Sequence, residues 1–327
     1  MTRVAVVGAG VMGCAAAWAL SARGADVTIL EQFDLDHTRG SSHGRTRIFR
    51  LAYPEAHWVQ LAQEALLGWR QLEQEARLEL LELCGLIELC SSAELTSRDV
   101  LAGAGIAHRL LNADEARAYG VAVPDGWAAL WQEDAGVVRA TLARRAFLHV
   151  AGAQLKTQER VESLDDVDAD VVVVTAGAWV TKLVPDVPVR VTRETVAYFR
   201  REGPPAPSVV ELDETTRGHA MYALHDPVYG MKAGAHHSGG AADPDVEGGA
   251  DPELVERIAA WVRDRFPDVD PEPVEAESCL YTSTADDEFV LERRGRLVIG
   301  SPCSGHGFKF APAIGRRLAH MALEASG

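Results

Sequence analysis

The stretch Val4-Ala5-Val6-Val7-Gly8-Ala9-Gly10-Val11-Met12-Gly13 decides the fold. Val4 to Val7 reads as a buried strand. Gly8 to Gly13 is a G-x-G-x-x-G loop, and Cys14 to Arg23 has the small and apolar content of a packed helix that Gly24 ends. Asp26 to Glu31 reads as a second strand. In this setting each glycine has its own reason. Gly8 allows a tight turn, Gly10 lets backbone approach a pyrophosphate, and Gly13 lets the helix pack on the strand. The helix start at Val11 and Met12 offers N–H donors and the positive end of its dipole to phosphate. Glu31 follows Gly13 by 18 residues, at the tip of the second strand. A carboxylate there accepts from ribose hydroxyls and repels the 2′-phosphate of NADP. The loop alone could be a mere tight turn; strand, helix and acid together predict a dinucleotide site.

Composition sets the frame around that site. The chain has 327 residues, 47% hydrophobic and 24% charged, which at ~150 residues per domain predicts two domains of an ordinary globular protein. The net charge of −16 argues against a nucleic-acid partner and against docking on anionic lipid, although a pocket can still be locally basic. No apolar stretch approaches the ~20 residues of a membrane helix. Glycines interrupt the N-terminal apolar run, so it reads as a strand and not as a signal peptide, and a cytoplasmic location is expected. The five cysteines are Cys14, Cys84, Cys90, Cys279 and Cys303. They are scattered, without a C-x-x-C pair, and read as reduced thiols; no metal site is expected.

Further along, Gly40-Ser41-Ser42-His43-Gly44-Arg45-Thr46-Arg47-Ile48-Phe49-Arg50 gathers cations in an acidic chain. Glu55 to Leu83 reads as a long helix, Gly85 to Leu89 as a strand, Asn112 as a helix start and Val138 to Gly152 as a helix. Asp170 to Thr175 reads as a second buried strand, running into the small-residue turn at Gly177 and rejoining the first sheet. Thr192 to Phe199 and Gly218 to Gly234 read as strands of another sheet. Pro252 to Phe266 reads as a helix, Arg296 to Gly300 as a strand, and a last helix starts near Ala311. The predicted fold is α/β. It has a discontinuous Rossmann-type domain (1–84, 139–185 and 279–327) and a substrate domain (85–138 and 186–278) on a mixed, largely antiparallel sheet.

Four segments carry a family likeness: Gly8 to Gly13 with Glu31, Gly40 to Arg50, Cys279-Leu280-Tyr281-Thr282, and Ser304-Gly305-His306-Gly307-Phe308-Lys309-Phe310. A shorter fifth is Lys232-Ala233-Gly234-Ala235-His236. The chain resembles the monomeric sarcosine oxidase and N-methyltryptophan oxidase branch of the FAD-dependent, D-amino acid oxidase-like amine oxidases. It looks shorter than typical members, with trimming expected between about 85 and 250. The resemblance implies FAD, attached as a thioether through Cys279. The FAD-binding set would be Gly8, Gly10, Val11, Met12, Gly13, Glu31, Ser41, Ser42, His43, Thr46, Arg47, Gly177, Cys279, Gly305, His306, Gly307, Phe308 and Lys309. A positive neighbour such as Arg47 would help lower the thiol pKa.

The same resemblance puts Arg50 and Lys309 on a substrate carboxylate, where the fork of Arg and the point charge of Lys suit two oxygens. Lys232 would stand over the flavin on the face where oxygen reacts. His236 would lie near the substrate amine, and Tyr222 and Tyr281 would line the pocket. For Arg50 the competing reading is an ordinary ion pair with an acid such as Glu55; for Tyr222 it is core packing. On a strand, residues four apart share a face, which puts Lys232 with His236 and turns His237 away to solvent. The implied activity is oxidation of the C–N bond of an amino acid, or of an N-methyl or cyclic amino acid, by a monomer that passes electrons to dioxygen and makes hydrogen peroxide. The alternative is a biosynthetic dehydrogenase or oxidase of a tailored cyclic imino acid.

Overall fold

The computed structural model describes residues 1–91, 95–212, 219–301 and 303–324. Two large sheets and a small bridging one make up the protein. The first sheet has six strands, in the spatial order 290–294, 297–301, 171–174, 3–7, 26–30 and 154–156. The last five are mutually parallel, and only 290–294 runs antiparallel to its neighbour. Parallel strands with both faces covered read as continuous apolar runs. That is why all four valines of Val171–Val174 are buried. Val4, Val6, Val171, Val173 and Val298 pack on the helix side, while Ala5, Val7, Val172, Val174 and Ile299 pack on Leu164, Val180 and Val184.

The helix Val11–Ser21 is buried at every position from Val11 to Leu20, as expected of a helix that is apolar all round. It crosses the last helix, Ala311–Leu323, at close range: a Cβ on Gly315 would fall 2.4 Å from the Ala15 carbonyl oxygen.

The second sheet has nine strands. Its order is 240–241, 190–200, 230–235, 221–226, 208–211, 86–90, 128–132 and 109–111, with Glu275–Ser283 also pairing along Arg190–Arg200. Every pairing is antiparallel except that of Ser208–Glu211 with Leu86–Cys90. One face is apolar: Ile87, Leu89, Ala197, Phe199, Val209, Ala223, Met231 and Ala233 pack on Ile258, Trp261 and Val262. Those last three belong to the helix Pro252–Arg265, capped by the Asp251 carboxylate. The alternate residues face the other way, toward the first domain. Thr46–Phe49, Gly136–Arg139 and Leu81–Glu82 form a small sheet.

Several boundaries differ from the sequence expectation. The helix expected over 55–83 is Ala56–Ala76 and stops at left-handed Arg77 (φ 53°). Glu73 then accepts from the Leu80 and Leu81 N–H groups at 2.8 Å each and reverses the chain. The stretch expected as one helix over 138–152 is a strand to Arg139 and a helix from Ala140. Gly218 lies outside the described residues. The expected division at 279 falls inside the strand Glu275–Ser283, which pairs along its length with the second sheet.

Candidate active site

A cleft of about 2090 Å³, including its mouth, runs from the glycine loop to the polar face of the second sheet. At the first end the loop is built as its sequence requires. Gly8 is left-handed (φ +101°), and a Cβ there would fall 2.6 Å from the Thr175 carbonyl oxygen; one on Gly13 would fall 1.9 Å from the Gly8 carbonyl oxygen. Gly10 starts the helix with no side-chain cap and no acid in the first turn. The Ser42 hydroxyl accepts from Val11 N–H at 3.0 Å. Glu31, 5% exposed, accepts from Ala9 N–H at 2.7 Å and from Phe33 N–H at 3.0 Å. Its carboxylate therefore also braces the loop against the second strand. Gly177, left-handed at φ 53°, closes this end.

The segment 40–50 crosses the middle of the cleft. Arg47 shapes it from inside, donating to the carbonyl oxygens of Ser41 (2.8 Å), His43 (2.5 Å) and Thr46 (2.9 Å). The Ser41 hydroxyl donates to the Leu280 carbonyl and ties the segment to the second sheet. His43 is buried, and desolvation, then Arg47, pushes its pKa down to about 4, so the ring is neutral at pH 7. Thr46 departs from its expected place: its hydroxyl donates to the His225 carbonyl oxygen at 3.0 Å and does not line the cleft.

At the far end the sheet face presents Lys232, Tyr222, Cys279 and Tyr281, with His236 just past its strand. Lys232 is 3% exposed. Its ammonium stands 4.0 Å from Glu277, and burial, then Arg47, lowers its pKa to about 7 against the pull of Glu277. His236 Nδ1 lies 3.3 Å from the Tyr281 hydroxyl; burial, then His237, holds its pKa well below the ordinary range. His237 is not solvent-exposed as expected. It is left-handed (φ 54°), its ring lies 4.1 Å from that of His236, and its side chain is 27% exposed.

The turn at 304–307 is pressed onto this wall. Ser304 N–H donates to the Thr282 carbonyl at 3.0 Å. A Cβ on left-handed Gly305 would fall 2.3 Å from the Tyr281 ring and 2.5 Å from the His236 ring. Gly307 and Phe308 also line the cleft. His306 packs edge-on against Trp58 at 4.8 Å; burial, then Lys309, takes its pKa to about 3. It is a packed neutral ring that lines the cleft.

Arg50 and Lys309 bracket one ring. The Arg50 guanidinium lies 4.4 Å over Tyr53, and Lys309 Nζ donates to the Tyr53 hydroxyl at 2.8 Å. Trp69 holds the Lys309 carbonyl at 2.7 Å, so the helix Ala56–Ala76 sets that turn. Lys309 is 2% exposed, and burial, then Arg50, takes its pKa well below the lysine range.

Cys279 also departs from expectation. Arg47 and Lys232 do pull its pKa down, but burial outweighs them and the thiol is raised. Cys303 lines the same cleft. Two acids were missed by the sequence reading. Glu277 accepts from the Tyr198 hydroxyl and faces Lys232. Glu88 accepts from Arg50 at 3.3 Å, where the competing reading named Glu55. The signals were there: Glu277 is two residues before Cys279 on one strand, and Glu88 is a lone acid in an apolar run.

A family model described as "FAD dependent oxidoreductase" matches residues 3–321. The chain belongs to this family and is an FAD-dependent oxidoreductase. It is similar to human peroxisomal sarcosine oxidase, 32% identical over 356 residues that cover 98% of this chain and 91% of the relative. It is also similar to the monomeric sarcosine oxidase of Bacillus sp., 30% identical over 362 residues, 98% of this chain and 92% of the relative. Among solved structures, an amino acid oxidase essential for nikkomycin biosynthesis superposes with a TM-score of 0.86 at 25% identity, covering 100% of this chain and 95% of that one. The cleft fits FAD. The glycine loop, closed to a Cβ at Gly8 and Gly13, and the helix start with no acid in its first turn suit a pyrophosphate, and Gly305 leaves the turn beside Tyr281 free of a side chain.

Proposed function

We propose that the protein oxidises the C–N bond of a small amino acid, N-methyl amino acid or cyclic amino acid, with dioxygen reduced to hydrogen peroxide. The observation that carries this reading is that Arg50 and Lys309, which meet at the buried Tyr53, both line the cleft that begins at the glycine cradle. An arginine and a lysine side by side suit a carboxylate, which the Arg fork and the Lys amine can share. A carboxylate arriving there also returns Lys309 toward its charged form, since an anion favours the ammonium.

Gly8, Gly10, Val11, Met12, Gly13, Glu31, Ser41, Ser42, Gly177, Gly305, Gly307 and Phe308 would hold the cofactor, with Arg47 and His43 beside it and Cys279 as its thioether link. Bound FAD supplies the acceptor for the electron pair of the C–N oxidation. An ammonium substrate must lose a proton before its carbon can give up a hydride. The cations Arg47, Arg50, Lys232 and Lys309 disfavour that ammonium by like charge. His236 stays neutral at pH 7 and adds no further charge. Tyr222 and Tyr281 wall the pocket, and Lys232 offers positive charge where dioxygen is reduced.

The two units divide as residues 1–84, 139–185 and the C-terminal segment against the rest, with the strand Glu275–Ser283 taken with the substrate unit by its pairing. The protein acts as a monomer in the cytoplasm on small molecules. The test is to supply N-methyl, cyclic and primary amino acids and to follow anaerobic bleaching of the flavin and aerobic peroxide. Bleaching by at least one of them is expected; none with any sinks the reading.

A further inference from the structure

One register row of the second sheet runs Glu88, Val210, Tyr222, Gly234, Val196 and Glu277. Glu88 stands out in it. It is 1% exposed and sits between Ile87 and Leu89, which point into the apolar core. One of its carboxylate oxygens accepts from Arg50 Nη1 at 3.3 Å, and the other accepts from the Ser97 hydroxyl. Arg50 lines the cleft; Glu88 lies behind it and does not. Burying a carboxylate is costly unless it is paired and hydrogen-bonded, and both conditions are met here. The consequence is for Arg50. One edge of its fork is held by a fixed anion, while its flat face rests on Tyr53. Arg50 also hydrogen-bonds the Tyr53 hydroxyl, and the side of its fork that lines the cleft is left for a ligand.

We propose that Glu88 is a positioning residue for carboxylate recognition: it aims Arg50 into the cleft and competes for its charge, which restricts the substrate to amino acids with a single carboxylate. This rests on the reading of Arg50 as the carboxylate clamp. A first carboxylate gains from Arg50 and Lys309. A second meets the field of Glu88 and, next to it, the apolar wall of Val210, Leu212 and Leu224. Ser97 moderates the competition by taking one of the oxygens of Glu88.

The test is calorimetric titration of the holoenzyme with acetate and with malonate, with kcat and KM measured alongside. Glu88→Gln keeps an oxygen facing Arg50 and removes the charge. Acetate is expected to bind about three- to tenfold tighter, the scale of losing one competing charge that Ser97 already partly satisfies. Malonate should gain more than acetate, and KM should fall with little change in kcat. Ser97→Ala should act in the opposite sense, weakening acetate, because Glu88 then turns wholly to Arg50. It is a small change that keeps the result decisive if Glu88→Gln does not fold.

Acetate affinity unchanged or weaker in Glu88→Gln, or unchanged in Ser97→Ala, overturns the proposal. A purely structural role would lower thermal stability without moving the two ligands apart. Arg50→Lys is the control. Undiminished acetate binding there removes the clamp and Glu88 with it. Absence of peroxide with every amine, while the acetate results hold, removes only the amine-oxidase reading.

Discussion

The two large sheets solve opposite problems. The first is parallel but for one edge strand and covered on both faces, and what it offers to the cleft is mostly backbone: a glycine turn and a helix start. The second packs one face on its own helix, and its other face offers side chains from strands far apart in the chain. A site made of backbone tolerates almost no added atom. A site made of side chains tolerates substitution of the atoms and fails in its charges. That contrast gives four expectations, in falling order of effect.

Gly13→Ala should be the most damaging, because its Cβ has 1.9 Å to the Gly8 carbonyl oxygen and no flexible neighbour to yield. A loss of about 3 kcal/mol or more, with little bound flavin, is expected from overpacking backbone on backbone. Thermal melting and the visible spectrum check it; a normal yellow protein would break the comparison.

Cys279→Ala comes next. The fold and reversible FAD binding should survive, since the cradle lies in the other sheet, but activity should fall sharply. An acid-denatured pellet should be yellow for the unmutated protein and colourless for the variant. Colour lost from Cys303→Ala, and kept by Cys279→Ala, would give the link to the other thiol of the cleft.

Lys232→Met tests the charge side. The folded pKa of Lys232 is about 7, below the ordinary 10.5. Between those values the unfolded chain binds the extra proton, so this group makes stability rise with pH from about 7 to about 10.5. The variant should therefore be more stable at pH 7, by up to about 4 kcal/mol for a shift of that size, and the gain should shrink toward pH 10. Urea unfolding of both proteins across that range reads the difference. A gain that grows with pH would mean that Lys232 is not held depressed. Reoxidation of the reduced variant by dioxygen should also slow.

The mildest change is Asp251→Ala. It removes the cap of a helix on the apolar back of the second sheet. It should cost about 1 kcal/mol and leave acetate binding and KM unaltered. A changed KM would show that the two faces of that sheet are not independent.

The sequence by itself determined the strand, glycine turn, helix and strand of the first unit almost to the residue. Gly8, Gly10, Gly13 and Glu31 act within one βαβ unit, and there the turn, the helix start and the strand tip follow from local steric rules. Arg47, Arg50, Cys279, Tyr281 and Lys309, which the motif blocks singled out, all line the cleft. Local rules misjudged what depends on neighbours from elsewhere. His237 is tucked against His236 because the strand ends at Ala235, so alternation no longer applied. Thr46 opens a strand of the small sheet and donates to the His225 carbonyl of the second sheet, a partner 179 residues away.

Only the tertiary structure decided the partners of the charges. Glu88 and Arg50 are 38 residues apart, and Lys232 and Glu277 meet through strands that pair in register with Arg190–Arg200. Burial decided their protonation. It raised the Cys279 thiol although cations stand beside it, and it lowered Lys232, His236 and Lys309. Desolvation is set by how much of the rest of the chain closes over a group, and no local pattern in the sequence carries that quantity.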